Sequence, residues 1–303
     1  MTTVPPDTEV GPLLREWRER RRISQLELAL RADSSARHIS FVETGRSRPS
    51  EDMVLRLAEA LDVPVRERNA LLVMAGYAPR YAQTPLDAPA MSALRESLDR
   101  LLTAYEPYPA LVVDGVYGVV AANRGIALLL EGVPEKLLVP PVNAMRLTLH
   151  PEGLAPRIVN LPEWRADLLA QMERQIALVR SPALRELYEE VAAYPVPGLT
   201  ATPGRPGGRE GSDGPGGSAP VGGGAGGAGR ERAAAFALPM RIEHDGRVLS
   251  FVSSIATFNT PMDVTVAELA IETFLPADRE TAAHLLARVP RDAPLPAPSP
   301  PPA

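Results

Sequence analysis

The chain has 303 residues, 45% of them hydrophobic, and a formal net charge of −5, so it has room for more than one domain with a real core and does not coat nucleic acid by bulk charge. It contains no cysteine, which excludes disulfides, thiolate metal sites and cysteine nucleophiles. The opening MTTVPPDTEV lacks the pattern of a signal peptide, and no apolar run is long enough to span a bilayer, so a cytoplasmic protein without membrane contact is expected.

Leu13, Leu14 and Trp17 follow a helical period, which Arg21 extends. In a second helix Leu26, Leu28 and Ala29 open an apolar face. A short turn at Ala32-Asp33-Ser34 leads to Ser35, whose hydroxyl suits the start of a third helix. There Ile39 and Val42 face inward, which leaves Ala36, Arg37, His38, Ser40 and Phe41 on or near the outer face. Gly45 is expected at positive φ, and Asp33 tolerates a left-handed conformation better than most residues. Ser50, Glu51 and Asp52 suit a helix N-terminus. Met53, Leu55, Leu57, Ala58 and Leu61 then form a stripe that stops at Asp62-Val63-Pro64. Glu67 to Ala75 reads as a fifth helix. The spacing predicts a compact all-α domain over residues 11–80, with its third helix entering the major groove of double-stranded DNA. Residues 15–48 hold nine arginines against five acids, so the contact is a local patch, not a general field.

Ser24-Gln25, Leu28-Ala29, Ile39-Ser40, Glu43, Gly45-Arg46 and Pro49-Ser50 resemble the pattern of XRE-type, lambda-repressor-like helix-turn-helix regulators. Asp33 stands where that family more often has glycine. By position, the resemblance implies that Gln25 binds phosphate and that Ala36, Arg37, Ser40 and Phe41 face base edges. Arg37 suits guanine and Phe41 a thymine methyl. Ser35 and His38 complete the face, and Arg46 and Arg48 are read as phosphate clamps. Glu43 is read as structural.

Beyond a Pro-rich loop, Met91, Leu94, Leu98, Leu101 and Leu102 mark a helix that ends near Tyr105. ALVVDGVYGVVAA, residues 110–122, reads as two strands about an Asp114-Gly115 turn, with Asn123 starting a helix through Leu130. This layout is how PAS-like sensor domains begin. Residues 146–194 look mainly helical. LPMRIEH, RVLSFVSSIATF and AELAIETFLP read as three more strands, and about 277–288 as a closing helix. The expected second domain is α+β over residues 91–288, with an apolar cavity between sheet and helices that binds a small molecule. A Gly/Pro-rich stretch at about 195–235 is expected to be a flexible insertion, and residues 289–303 an extended Pro-rich tail. Gly222, Gly224 and Gly227 match a dinucleotide fingerprint by letter, but follow no strand and open no helix. No cofactor and no metal is expected.

RHISFVETGRSRPS, RERNALLVMAGYAPRY, VVAANRG, RLTLHPEGLAPRIVN and DVTVAELAIETFLPADRETAAHL together resemble MmyB-like transcription regulators. In that class an XRE-type head is joined to a PAS-like ligand-binding domain, and the resemblance implies a fatty-acid-like ligand. A buried carboxylate head needs donors. The motif-borne ones are Asn123, Arg146 and His150, with Val112, Val120, Phe251 and Val252 as apolar wall or plain core. The expectation is a ligand-responsive, homodimeric DNA-binding regulator. The alternatives are a regulator whose second domain is a ligand-free interaction or dimerisation module, and an enzyme. The enzyme reading is set aside, because His38, His150, His244 and His284 stand in no hydrolase or metalloprotease motif and no Walker loop is present.

Overall fold

The computed structural model describes residues 10–179, 181–196 and 237–289. The first core is helical, with α1 at Val10–Arg20, α2 at Gln25–Arg31, α3 at Ala36–Glu43, α4 at Glu51–Ala60 and α5 at Val65–Met74. Serine hydroxyls start three of them. Ser24, Ser35 and Ser50 accept from the N–H of Glu27, His38 and Met53, and each satisfies a donor that the helix itself leaves free. Leu14, Trp17, Leu28, Ile39, Val42, Leu57, Leu71 and Leu72 are buried together, each contributing about 1.5–3 kcal/mol of transfer free energy. Gly11 lets α1 cross α3 closely: an added Cβ would stand 2.4 Å from the Val42 carbonyl oxygen. Gly45 (φ 72°) and Asp33 (φ 48°) both take the left-handed conformation.

Two details differ from the sequence reading. Leu26 is 62% exposed and Leu30 76%. They lie one turn apart on a common outer stripe of α2, while Leu28 and Ala29 take the inner side. Helix α5 also begins at Val65, directly after Pro64, so Pro64 opens this helix as well as closing the one before.

The second part is an antiparallel sheet with helices on both faces. Its elements are α6 (Ser92–Tyr105), β1 (Ala110–Val113), β2 (Val119–Ala122), α7 (Arg124–Leu130), α8 (Ala144–Leu149), α9 (Leu161–Leu178) and α10 (Pro182–Ala192). They continue with β3 (Met240–His244), β4 (Arg247–Thr257), α11 (Val264–Glu268), β5 (Ala270–Pro276) and α12 (Arg279–Arg288). The strand order is β2-β1-β5-β4-β3, which makes this part α+β as expected. Strand β5, last in sequence, is central, and sets Glu272 opposite Leu111 on one side and Ile255 on the other. The inner face, with Leu111, Val113, Leu249 and Phe251, shares a core with Leu128, Trp164, Met172 and Leu184 of the helices. The outer face, with Ala110, Val112 and Ile271, packs on Leu98 and Leu102 of α6.

Two strand expectations need correction. Ala267 and Glu268, read as the start of the last strand, belong to α11. That helix is started by Asp263, whose carboxylate accepts from the N–H of Thr265. The first turn is also longer than Asp114-Gly115. Asp114 Oδ1 accepts from the N–H of Val116 and Gly118, and Tyr117 sits at φ 61°. The Gly fingerprint, nearly all of the 195–235 stretch and nearly all of the Pro-rich tail lie outside the described residues. No helix among the described residues is long and apolar enough to cross a membrane.

The two parts are laced together. The Val264 N–H donates to Ala82 O at 2.8 Å, and Thr84 donates through its N–H and hydroxyl to Asp263 Oδ2. Arg66 of α5 forks onto Glu268 of α11 through Nε (2.6 Å) and Nη2 (2.8 Å).

Candidate DNA-reading face and ligand cavity

Helix α3 is held from behind by one carboxylate. Glu43 is buried and accepts from Arg18 Nε at 2.6 Å, Arg18 Nη2 at 2.9 Å and Gln25 Nε2 at 2.8 Å. It therefore bridges α1, α2 and α3, and its structural role spans three helices. The front of α3 presents Arg37, whose guanidinium carbon stands 5.2 Å from the Phe41 ring centroid. Such stacking restrains the guanidinium against the ring. Arg46 is exposed beyond the helix, while Ala36, His38, Ser40 and Phe41 are half-buried along it. Ser35 serves the helix cap, and Gln25 commits one amide N–H to Glu43, which leaves its second N–H for another acceptor.

Arg48, expected as a phosphate clamp, is exposed and also tied to its own part. Its Nε and Nη2 donate to Ala75 O at 3.2 and 2.9 Å, and its guanidinium lies over Tyr77. A cation on the final carbonyls of a helix offsets their partial negative charge, so Arg48 pins the C-terminus of α5.

A cavity of about 1040 Å³ lies between the inner face of the sheet, α9 and the first core. Val113, Val120 and Ile255 give it apolar wall, Gln171 and Gln175 of α9 face it, and residues Asp62 through Arg68 of the head close one side. Its polar groups include Tyr117 and Glu272. Burial pushes the Tyr117 phenol up to about 12, and its oxygen accepts from Gln171 Nε2 at 3.4 Å. Glu272 is buried on β5 and accepts from Ser253 Oγ at 2.8 Å. No cation pairs with it among the described residues. Burial therefore pushes the Glu272 carboxyl above the usual carboxylate range, and the Ser253 hydrogen bond only partly opposes that.

The three ligand contacts expected from sequence do not line this cavity. Asn123 is a buried tie: its Nδ2 donates to Leu102 O and Tyr108 O, and its Oδ1 accepts from the Ala110 N–H. Arg146 forks onto Glu190, which Tyr194 also contacts. His150 Nδ1 accepts from the Glu152 N–H, and the ring packs edge-on against Tyr194. Each side chain is engaged outside the cavity lining. Of the expected wall, Val120 lines the cavity, Val112 lies on the opposite sheet face and Phe251 is core. Sequence reasoning passed over Glu272 and Tyr117. In a strand with period two, Glu272 shares a face with Ala270 and Phe274, and an acid on that apolar face was a legible signal.

Glu131, His244 and Asp245 bring their ligand atoms within 4.8 Å of one another. His244 Nε2 stands 3.0 Å from Glu131 Oε2 and its Nδ1 3.1 Å from His284 Nε2, while Asp245 pairs with Arg288. These groups are occupied by each other and tie β3 to α12.

Residues 14–68 match the family model for helix-turn-helix domains, and residues 94–201 match that of the MmyB-like transcription regulator ligand binding domain. A helix-turn-helix region followed by a ligand-binding-domain match makes this a DNA-binding transcription regulator with a ligand-sensing domain. The two matches, taken in that order, support an MmyB-like regulator. The second match stops before β3, yet β3, β4 and β5 complete the sheet that β1 and β2 begin. No curated protein matches the chain.

Proposed function

We propose that the chain is a sequence-specific regulator that reads double-stranded DNA through α3 and responds to a small amphiphile held in the cavity. One observation carries the reading: residues of the DNA-reading part form one side of the cavity that the sheet and α9 form on the others. A ligand there touches both parts at once, so its binding energy differs between arrangements of the two and shifts their population. The domain division we adopt is a head at 11–80, a PAS-like sensor at 91–288 with an insertion at 195–235, and a tail at 289–303. We assign it to the cytoplasm, as a non-enzymatic homodimer on half-sites about one helical turn apart. The long apolar portion of a fatty-acid-like ligand suits the Val113, Val120 and Ile255 wall. An open cavity favours this reading over a ligand-free interaction module, whose core has no reason to stay unfilled.

The test is selection of duplexes from a random pool by the full chain, followed by fluorescence anisotropy on selected and scrambled duplexes. Selected sites are expected to bind about a thousandfold tighter or more. Equal affinity for every duplex would remove the reading.

A further inference from the structure

The edge of the sheet at β3 carries a cluster that neither DNA reading nor the cavity uses. His244, the last residue of β3, is buried on the same strand face as Met240 and Ile242. The chain turns back at Asp245 (φ 49°) and Gly246 (φ 70°), and Glu131 follows the end of α7. Glu131, His244 and Asp245 each bring one ligand atom within 4.8 Å of the other two. They border a pocket of about 270 Å³ that shares no lining residue with the larger cavity. His284 Nε2 stands 3.1 Å from His244 Nδ1. When His244 donates its Nδ1–H to His284, its Nε2 lone pair faces Glu131 Oε2 at 3.0 Å. Two electron-rich atoms that close repel unless a cation lies between them. A proton joins two such atoms, and a third on Asp245 calls for an ion that takes several ligands. Atoms each about 2.0–2.2 Å from one zinc ion lie roughly 3–3.5 Å apart, and the His244–Glu131 separation falls in that range.

We infer that Glu131, His244 and Asp245 form a binding site for a divalent transition-metal ion of the zinc class. One imidazole with two carboxylates suits zinc and its neighbours better than hard magnesium. His284 is a positioning residue: by accepting the Nδ1–H it fixes the tautomer that turns the Nε2 lone pair toward the ion. Two cations stand close. Arg157 is committed to the Leu129 and Glu131 carbonyls. Arg288 pairs with Asp245 and is the cation that the metal displaces. Both carboxylates are partly exposed, so water completes the coordination and the ion exchanges with solvent. Bound there, it ties the end of α7 to the β3–β4 turn. This departs from the sequence reading, which expected no metal: Glu131 and His244 are 113 residues apart, and no ligand spacing rule spans that distance.

The experiment is titration of the untagged, chelator-treated full chain with Zn²⁺ by calorimetry and with Co²⁺ by visible absorbance. One saturable ion per chain is expected, with cobalt bands that Zn²⁺ removes and Mg²⁺ does not. Because the chain has no cysteine, those bands report nitrogen and oxygen ligands alone. Glu131→Gln and His244→Gln should lose saturable binding. His284→Phe, which keeps a ring but removes the acceptor, should weaken it about tenfold or more. Arg288→Ala should bind Zn²⁺ more tightly than the parent, since no cation has to leave Asp245. His150→Gln should bind as the parent does. Glu131 and Arg288 are surface positions, so their opposite effects keep the test sound even if His244→Gln fails to fold. Absence of saturable binding in the parent chain overturns the site, and so does binding that Glu131→Gln and Arg288→Ala both leave unchanged.

Discussion

Single residues divide into those that face outward to a partner and those that hold the frame. Arg37→Ala is expected to flatten base preference at one position of the selected site, by about 1–3 kcal/mol, while the head keeps its melting temperature. Arg48→Ala should do the reverse. It loses two charge-assisted bonds to Ala75 O and should cost about 1.5–3 kcal/mol in denaturant unfolding, with base preference intact. Glu43→Ala strands Arg18, a mostly buried guanidinium, and a loss of about 3–5 kcal/mol is expected in the same assay. Glu272 has a distinct pH signature. Its carboxyl is held above the ordinary range, so the fold favours the protonated form. Its contribution is complete below the ordinary carboxylate pKa and drains away as pH rises from there through the raised value. Thermal melts should show Glu272→Gln level with the parent near pH 4 and more stable near pH 8, at about 2–4 °C for each kcal/mol. Parallel melting curves at both pH values would contradict the burial of that acid.

At the scale of elements, the clasp between α5 and α11 is where the two parts meet. Arg66 and Glu268 are both partly exposed, so their pair contributes little to stability, about 1 kcal/mol or less. Arg66→Ala should leave the melting temperature almost unchanged. It should shrink the change in DNA affinity that a cavity-bound probe produces, measured by anisotropy with and without that probe. The elements themselves were largely legible in the sequence. Serine caps and apolar stripes report local chemistry, and local chemistry is written in order along the chain. The cavity was legible only as a class of architecture. Its lining brings α5, the β1–β2 turn, α9 and β5 together, and no spacing rule encodes meetings that distant. Arg146 and His150 illustrate the cost. They share the right residue types, but Glu190 and the Glu152 N–H had already claimed them. Leu26 misled in the opposite direction, because a seven-residue helix is too short for its pattern to fix which stripe is inner.

For the whole molecule, charge is divided between its tasks. The overall balance is −5, while residues 15–48 carry the arginine excess, so affinity for any duplex should fall steeply with salt through a few phosphate contacts. Arg46→Ala should weaken selected and scrambled duplexes alike and reduce the salt slope by about one. Strand order adds a consequence in time. All buried members of the head core lie within residues 10–75, so the head is complete early in translation. The sensor sheet is not, because its middle strand, Ala270–Pro276, is the last to be made and β1 pairs along one whole edge with it. Until that strand leaves the ribosome, the nascent chain carries a finished DNA-reading head beside a sheet with its centre missing and a bare edge that invites mispairing. On the function proposed above, the part that reads DNA is thus finished before the part that would govern it.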